Sequence, residues 1–226
     1  MKRQRTVTAC AALVAASVLV AGCGGDDGGS DKAPKNEIAG AEKTASPKPS
    51  PSASASKSTA SEEGAPDLSL PKDLKVVTDW EVPKGAEEAA ALRDAVNALT
   101  GQVRAIARQD VDDPAYLFYS YPASNARQWM QTDVKTHVQK KSSVTGTRTL
   151  SKQSVQIVRP HATAVVTFCV DDHEYAAKHL DTGKVINDSD DATNYIKYEW
   201  GMTTTGKDGH WRAKEIRGVT AAKECM

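Results

Sequence analysis

The sequence predicts an α+β domain in which N-terminal helices pack on a curved antiparallel sheet, preceded by a signal peptide and a disordered tether. Between residues 86 and 140, apolar side chains recur at spacings of three and four, the helical period. Beyond Lys141 the period falls to two and turn-forming residues separate the runs, as in a meander of strands. Neither pattern is present before residue 67.

Taken in order, Met1-Lys2-Arg3-Gln4-Arg5 is a positive leader and Thr6 to Val20 a short apolar stretch, too short and Ala-rich to span a bilayer comfortably. Small residues in Val20-Ala21-Gly22-Cys23 lead into a cysteine. This ending resembles bacterial lipoprotein signals. The resemblance implies cleavage before Cys23, a thioether-linked diacylglycerol on its sulfur and an acylated new N-terminus. Residues 1–22 are thus read as a lipoprotein signal peptide, and Cys23 as the link to cytoplasmic-membrane lipid. Stable attachment takes about two acyl chains, which a diacylglycerol supplies. The expected location is the extracytoplasmic face of the cell membrane.

Residues 23–66 hold the lipidated cysteine and a Gly/Ser/Pro/Ala tether in which Ile38 is the lone large apolar residue. Such a composition buries too little to offset the entropy of ordering, so the tether supplies reach. Its Pro-containing part, Ser46 to Pro51, should be stiffer than Gly24 to Ser30. The chain carries a formal net charge of 0, and losing Lys2, Arg3 and Arg5 leaves −3. That balance offers no long-range attraction for nucleic acid or anionic lipid.

Residues 67–226 form the globular domain. Leu68 to Pro83 reads as an extended lead-in. Ala86 to Arg108 is the strongest helix, with Leu92, Val96, Leu99, Val103 and Ile106 on one stripe. Glu87 and Glu88 suit its N-terminus, Arg104 and Arg108 its C-terminus, and Gly101 is a weak point within it. Asp112-Asp113-Pro114 starts a second helix, Ala115 to Tyr121. Ser124 to Lys140 is a third, with Ala126, Met130, Val134 and then His137 and Val138 inward. Val155 and Ile157 alternate, and Pro160 marks a turn. Ala162 to Val170 alternates next, Asp171-Asp172-His173 reads as a hairpin turn, and Thr182-Gly183 as another. Ile196, Tyr198, Trp200 and Met202 share a strand face, and Gly206 to Gly209 turns the chain into a last strand, Trp211 to about Val219.

Cys10 leaves with the signal and Cys23 takes the lipid, so Cys169 and Cys225 remain. An extracytoplasmic compartment and an even remainder favour a disulfide over two free thiols. A zinc site lacks His partners at metal spacing. Asp188-Ser189-Asp190-Asp191 begins like a calcium loop, with Glu199 at the twelfth place. Ala192 and Thr193 then fall where a ligand and a glycine are needed, so a polar turn is the better reading. Asp171-Asp172-His173-Glu174 has metal-capable groups, but neighbours on a hairpin rarely converge on one ion. No metal or cofactor is expected.

Three helices followed by a curved antiparallel sheet, over about Ala86 to Val219, resemble the nuclear-transport-factor-2-like cone shared with ketosteroid isomerases. The signal and tether are similar to those of secreted actinobacterial lipoproteins. So are Phe168-Cys169-Val170-Asp171-Asp172, Asp181-Thr182-Gly183-Lys184-Val185, Trp211-Arg212 and Glu224-Cys225. The cone implies an open end whose lining would include Tyr116, Tyr119, Trp129, Asp133, His137, Tyr198 and Trp200. In an isomerase-like enzyme, a carboxylate base and a Tyr donor would converge inside it. Asp133 and His137 lie four apart on one helix face, but such pairs are common on surfaces. The sequence therefore favours a non-catalytic domain that binds an unknown small ligand or envelope protein. The alternatives are a small isomerase or hydrolase using the same cavity, and an accessory subunit of an envelope transport or wall-synthesis complex.

Overall fold

The computed structural model describes residues 64–159, 162–186, 191–205 and 207–226. The signal peptide, Cys23, the tether, Pro160, Asp188 to Asp190 and Gly206 lie outside the described residues. The element order is β1 (Leu74–Asp79), α1 (Ala86–Arg108), α2 (Pro114–Tyr119), α3 (Asn125–Gln139), β2 (Ser142–Val158), β3 (Thr163–His179), β4 (Val185–Ile186), β5 (Tyr195–Thr204) and β6 (Trp211–Thr220). Three helices pack against one six-stranded sheet ordered β1-β2-β3-β5-β6, with β4 beside the end of β3. This is the expected α+β class.

The apolar stripe of α1 is buried at Leu92, Leu99, Val103 and Ile106, with Val96 half-buried. Ala91, Ala95, Ala98 and Ala105 are also fully buried, because small residues let other elements approach the helix on several sides. Gly101 is a contact point: a Cβ there would lie 2.7 Å from the Tyr116 nitrogen and 2.8 Å from the Ala115 carbonyl carbon. The helix former that propensity prefers would push α2 away. Arg104 likewise does more than complement a helix dipole. Its Nη1 donates to both Asp113 oxygens, at 2.6 and 2.5 Å, in the interior. Asp113 in turn caps α2, accepting from the Ala115 N–H at 2.9 Å. The α2 helix ends two residues sooner than expected, where Arg127 donates to the Leu117 and Ser120 carbonyls. Ser124 caps α3, whose Ala126, Met130 and Val134 are fully buried as expected.

Two expectations about strands are corrected. The lead-in contains a strand, β1, that runs parallel to β2 at the sheet edge, so the sheet is not wholly antiparallel. Asp171-Asp172-His173 is no hairpin turn: β3 runs 17 residues straight through it, paired with an equally long β2. Three register shifts interrupt the ladders. Arg148 faces Asp172 and His173, Lys152 and Gln153 face Phe168, and Lys214 is the extra residue between the Gly201–Glu215 and Met202–Ala213 pairs. Each adds a residue to one strand, and bulges of this kind bend and twist a sheet.

Cys169 and Cys225 form a disulfide with Cα atoms 5.4 Å apart. Cys169 sits mid-strand, and the bridge fastens the turn Lys223–Cys225 to β3. Trp200, Tyr116, Phe168, Leu99, Met130 and Leu150 are the largest fully buried side chains, and they fill the space between helices and sheet.

Candidate functional site

The β3 bulge brings charge into this interior. Asp171 Oδ1 accepts from the His173 N–H at 3.0 Å, an Asx turn within the strand. One extra residue on β3 puts Asp172 and Tyr175, an odd number apart, beside the same Arg148 of β2. Arg148 donates from Nε and Nη2 to the two Asp172 oxygens, both at 2.7 Å, the bidentate fork that suits a guanidinium. Its guanidinium carbon lies 4.1 Å from the Tyr175 ring centroid. Only 12% of the Arg148 side chain and 11% of Asp172 are exposed. Gly146 makes room next door: its φ is +95°, and a Cβ there would lie 1.8 Å from the Glu174 carbonyl oxygen.

More polar groups join from other elements. Gln102 of α1 donates to Asp133 of α3 at 2.8 Å. Burial pushes the Tyr175 phenol up to about 12; Arg148 pulls against that shift, while Asp172, Asp133 and Tyr198 add to it. Tyr198 is raised too, by burial first, with Arg148 opposing and Asp172 and Asp133 adding. For Arg148, burial works against the charge, but Tyr175, Asp172 and the hydrogen bond to it win, and its pKa is raised. Near neutral pH the two phenols beside the Arg148–Asp172 pair are therefore protonated. The Trp200 Nε1 and Gln102 Oε1 are buried without a hydrogen-bond partner among the described residues, so the interior keeps unused polar capacity.

One cavity opens beside this cluster, and a second shares Ala177 and Ile186 with it as a wall. The larger, about 610 Å³, is lined by Asp172, Tyr175 and Ala176 of β3, and by Thr193, Asn194 and Thr220. The smaller, about 360 Å³, is lined by Thr136, His137, Lys140, Ser142 and His179.

Of the side chains expected to line a cavity, His137 lines the smaller one. Tyr116 and Tyr119 are core: the Tyr116 hydroxyl donates to the Val111 carbonyl, and Tyr119 packs near Phe118 and the buried His210. Trp129 is 39% exposed, its ring edge against Tyr198, and Trp200 lies wholly in the core. Asp133 and His137 do not act together: the first binds Gln102, and His137 Nδ1 lies 3.0 Å from the Ser142 hydroxyl. Asp133 and Tyr198 instead act on the Arg148–Asp172–Tyr175 cluster. Those last three residues were missed, and their one sequence signal was the Asp-Asp-His interruption of a strand pattern. Among the described residues, no three His, Cys, Asp or Glu side chains are grouped to hold a metal ion. No described helix is long and apolar enough to cross a membrane.

No protein-family model and no curated protein matches the chain. Among solved structures, it is similar to the intermembrane-space region of the chloroplast protein ARC6, at 13% identity over 57% of this chain and 96% of that one, TM-score 0.38. An NTF2-like protein from Cytophaga hutchinsonii is 14% identical over 57% of this chain and 97% of its own, TM-score 0.35. A protein from Catenulispora acidiphila is 8% identical over 58% and 92%, TM-score 0.38. At such identities nothing about ligand or activity transfers.

Proposed function

We propose that this chain is an extracytoplasmic lipoprotein, anchored through Cys23, whose domain binds a small ligand beside Asp172 and Tyr175 without transforming it. The observation that carries the reading is the bidentate Arg148–Asp172 pair. A general base needs a carboxylate free to take a proton, and both oxygens of Asp172 are already held. A fixed charge pair, a phenol donor and an apolar wall suit recognition better than proton transfer. The anchor reading rests on the signal-like ending Val20-Ala21-Gly22-Cys23 and on the tether that follows it.

Native mass spectrometry of the lipoprotein extracted from its own membrane tests the binding. The expected result is a non-covalent small molecule on the native chain that is lost from Tyr175→Ala. An unliganded native protein would overturn the binding reading. Release of a chemically altered molecule would favour the isomerase or hydrolase alternative, with Asp133 as the remaining carboxylate. Co-extraction of a stoichiometric envelope protein would favour the accessory subunit. For the anchor, Cys23→Ala should abolish incorporation of labelled palmitate; unchanged incorporation would refute it.

A further inference from the structure

The smaller cavity has a chemical character of its own. Among the described residues its ionisable lining consists of His137, Lys140 and His179, with no carboxylate. The rest of its wall is Ala177, Ile186 and the short side chains of Thr136 and Ser142. Ile186 of β4 pairs with Ala177 of β3, so these two apolar side chains share the face that lines the cavity, and Ile186 is 44% exposed. Lys140 and His179 are exposed and, among the described residues, neither side chain is held in an ion pair. By contrast Lys141 lies 3.8 Å from Asp181, and Lys178 bonds Asp73. Basic groups are thus left uncommitted in a pocket whose apolar wall is Ala177 and Ile186.

We infer that this cavity binds a single anionic amphiphile, with its acyl chain against Ala177 and Ile186 and its acidic head on Lys140 and His179. His137 lines the same cavity, with its Nδ1 3.0 Å from the Ser142 hydroxyl. The overall negative charge of the mature chain gives no long-range steering, so recognition depends on this local pairing. The inference extends the ligand-binding reading to a second, adjoining pocket and names its ligand class. The shared chemistry, an acidic group on an acyl chain, belongs equally to a free fatty acid and to a phospholipid.

Photo-crosslinking of the full-length lipoprotein in its membrane tests the inference, with three diazirine-bearing probes: a fatty acid, a phosphatidylglycerol supplied in vesicles, and an uncharged monoacylglycerol. Adducts of the acidic probes should map to residues 136–142 and 177–186 and exceed those of the neutral probe at least tenfold. The better of the two acidic probes identifies the source. Lys140→Glu with His179→Glu should lower labelling about tenfold, while Lys140→Arg keeps it. Both positions are exposed, so the variants should fold, which an unchanged melting temperature would check. Equal labelling by neutral and acidic probes, adducts scattered over the surface, or full labelling of the double glutamate variant would each overturn the assignment. Tyr175→Ala should leave this labelling intact, so failure of the larger site and failure of this one give different results.

Discussion

Breaking the Arg148–Asp172 pair and replacing it should have very different effects. Arg148→Met leaves the Asp172 carboxylate, 11% exposed, without its counter-charge inside the domain. Loss of one partner of a buried pair costs about 3–5 kcal/mol, and the slight exposure of this pair places it near 3. Losing the stack on Tyr175 adds about 0.5–1 kcal/mol. Asp172→Leu strands the guanidinium and should cost about as much. The double variant buries two apolar side chains instead and should fall within about 1 kcal/mol of the native protein. The two single losses should therefore fail to add by about 5 kcal/mol. Urea unfolding followed by tryptophan fluorescence reads all four proteins, since Trp200 is buried in the same interior. Comparable m-values are required for the comparison. A double variant as unstable as the sum of the singles would refute the view that the pair acts as one unit. A neutral Arg148→Met would show that water already solvates the site.

Gly101→Ala should destabilise by about 2 kcal/mol although it improves helix propensity, because the new Cβ meets α2 backbone; a stabilised variant by thermal melting would contradict that packing. Replacing Cys169 and Cys225 by Ala opens a bridge between positions 56 apart and should cost roughly 4 kcal/mol in the chain-entropy account, read from denaturation midpoints. The Arg212 hydrogen bond lowers Asp208 from 3.8 to about 2. The folded pKa is below the unfolded one, so its stabilisation is present above about pH 4 and lost toward about pH 2. Asp208 is largely exposed, so the gap between native protein and Asp208→Asn should stay below about 1 kcal/mol and close on acidification. A gap that widens as pH falls would reverse the sign.

The helical half of this fold was legible because burial there follows one period. The boundaries of α1 match the sequence reading, and the inward face of α3 is the expected Ala126, Met130 and Val134. What periodicity could not give was the polar side of the same helices. Arg104 and Gln102 look like solvated residues on a wheel, yet their partners Asp113 and Asp133 come from later elements. Gly101 reads as a propensity defect until the neighbour it admits is known. The Cys169–Cys225 bridge was accessible by counting, since it needed only the removal of Cys10 and Cys23 from the tally.

The strand half shows why the site itself was hidden. Turn-favouring residues signal a reversal when neighbouring strands are short, and Asp171-Asp172-His173 carries that chemistry. Here the pairing of β2 with β3 continues on both sides of the segment, from Leu150–Val170 to Gly146–Tyr175. Ladder bonds therefore hold the chain extended, and the local Asx preference is spent on a single extra residue. That residue changes the parity of the strand. With strict alternation, Asp172 and Tyr175 would project to opposite faces, and Arg148 would meet one of them. The bulge lets it meet both, at 2.7 Å and 4.1 Å. The same local signal that mimics a turn thus assembles the ion pair, the stacked phenol and one wall of the larger cavity. In a bulged sheet, an acidic interruption of a long alternating run marks where the inner face changes register, and polar chemistry can enter an otherwise apolar interior there.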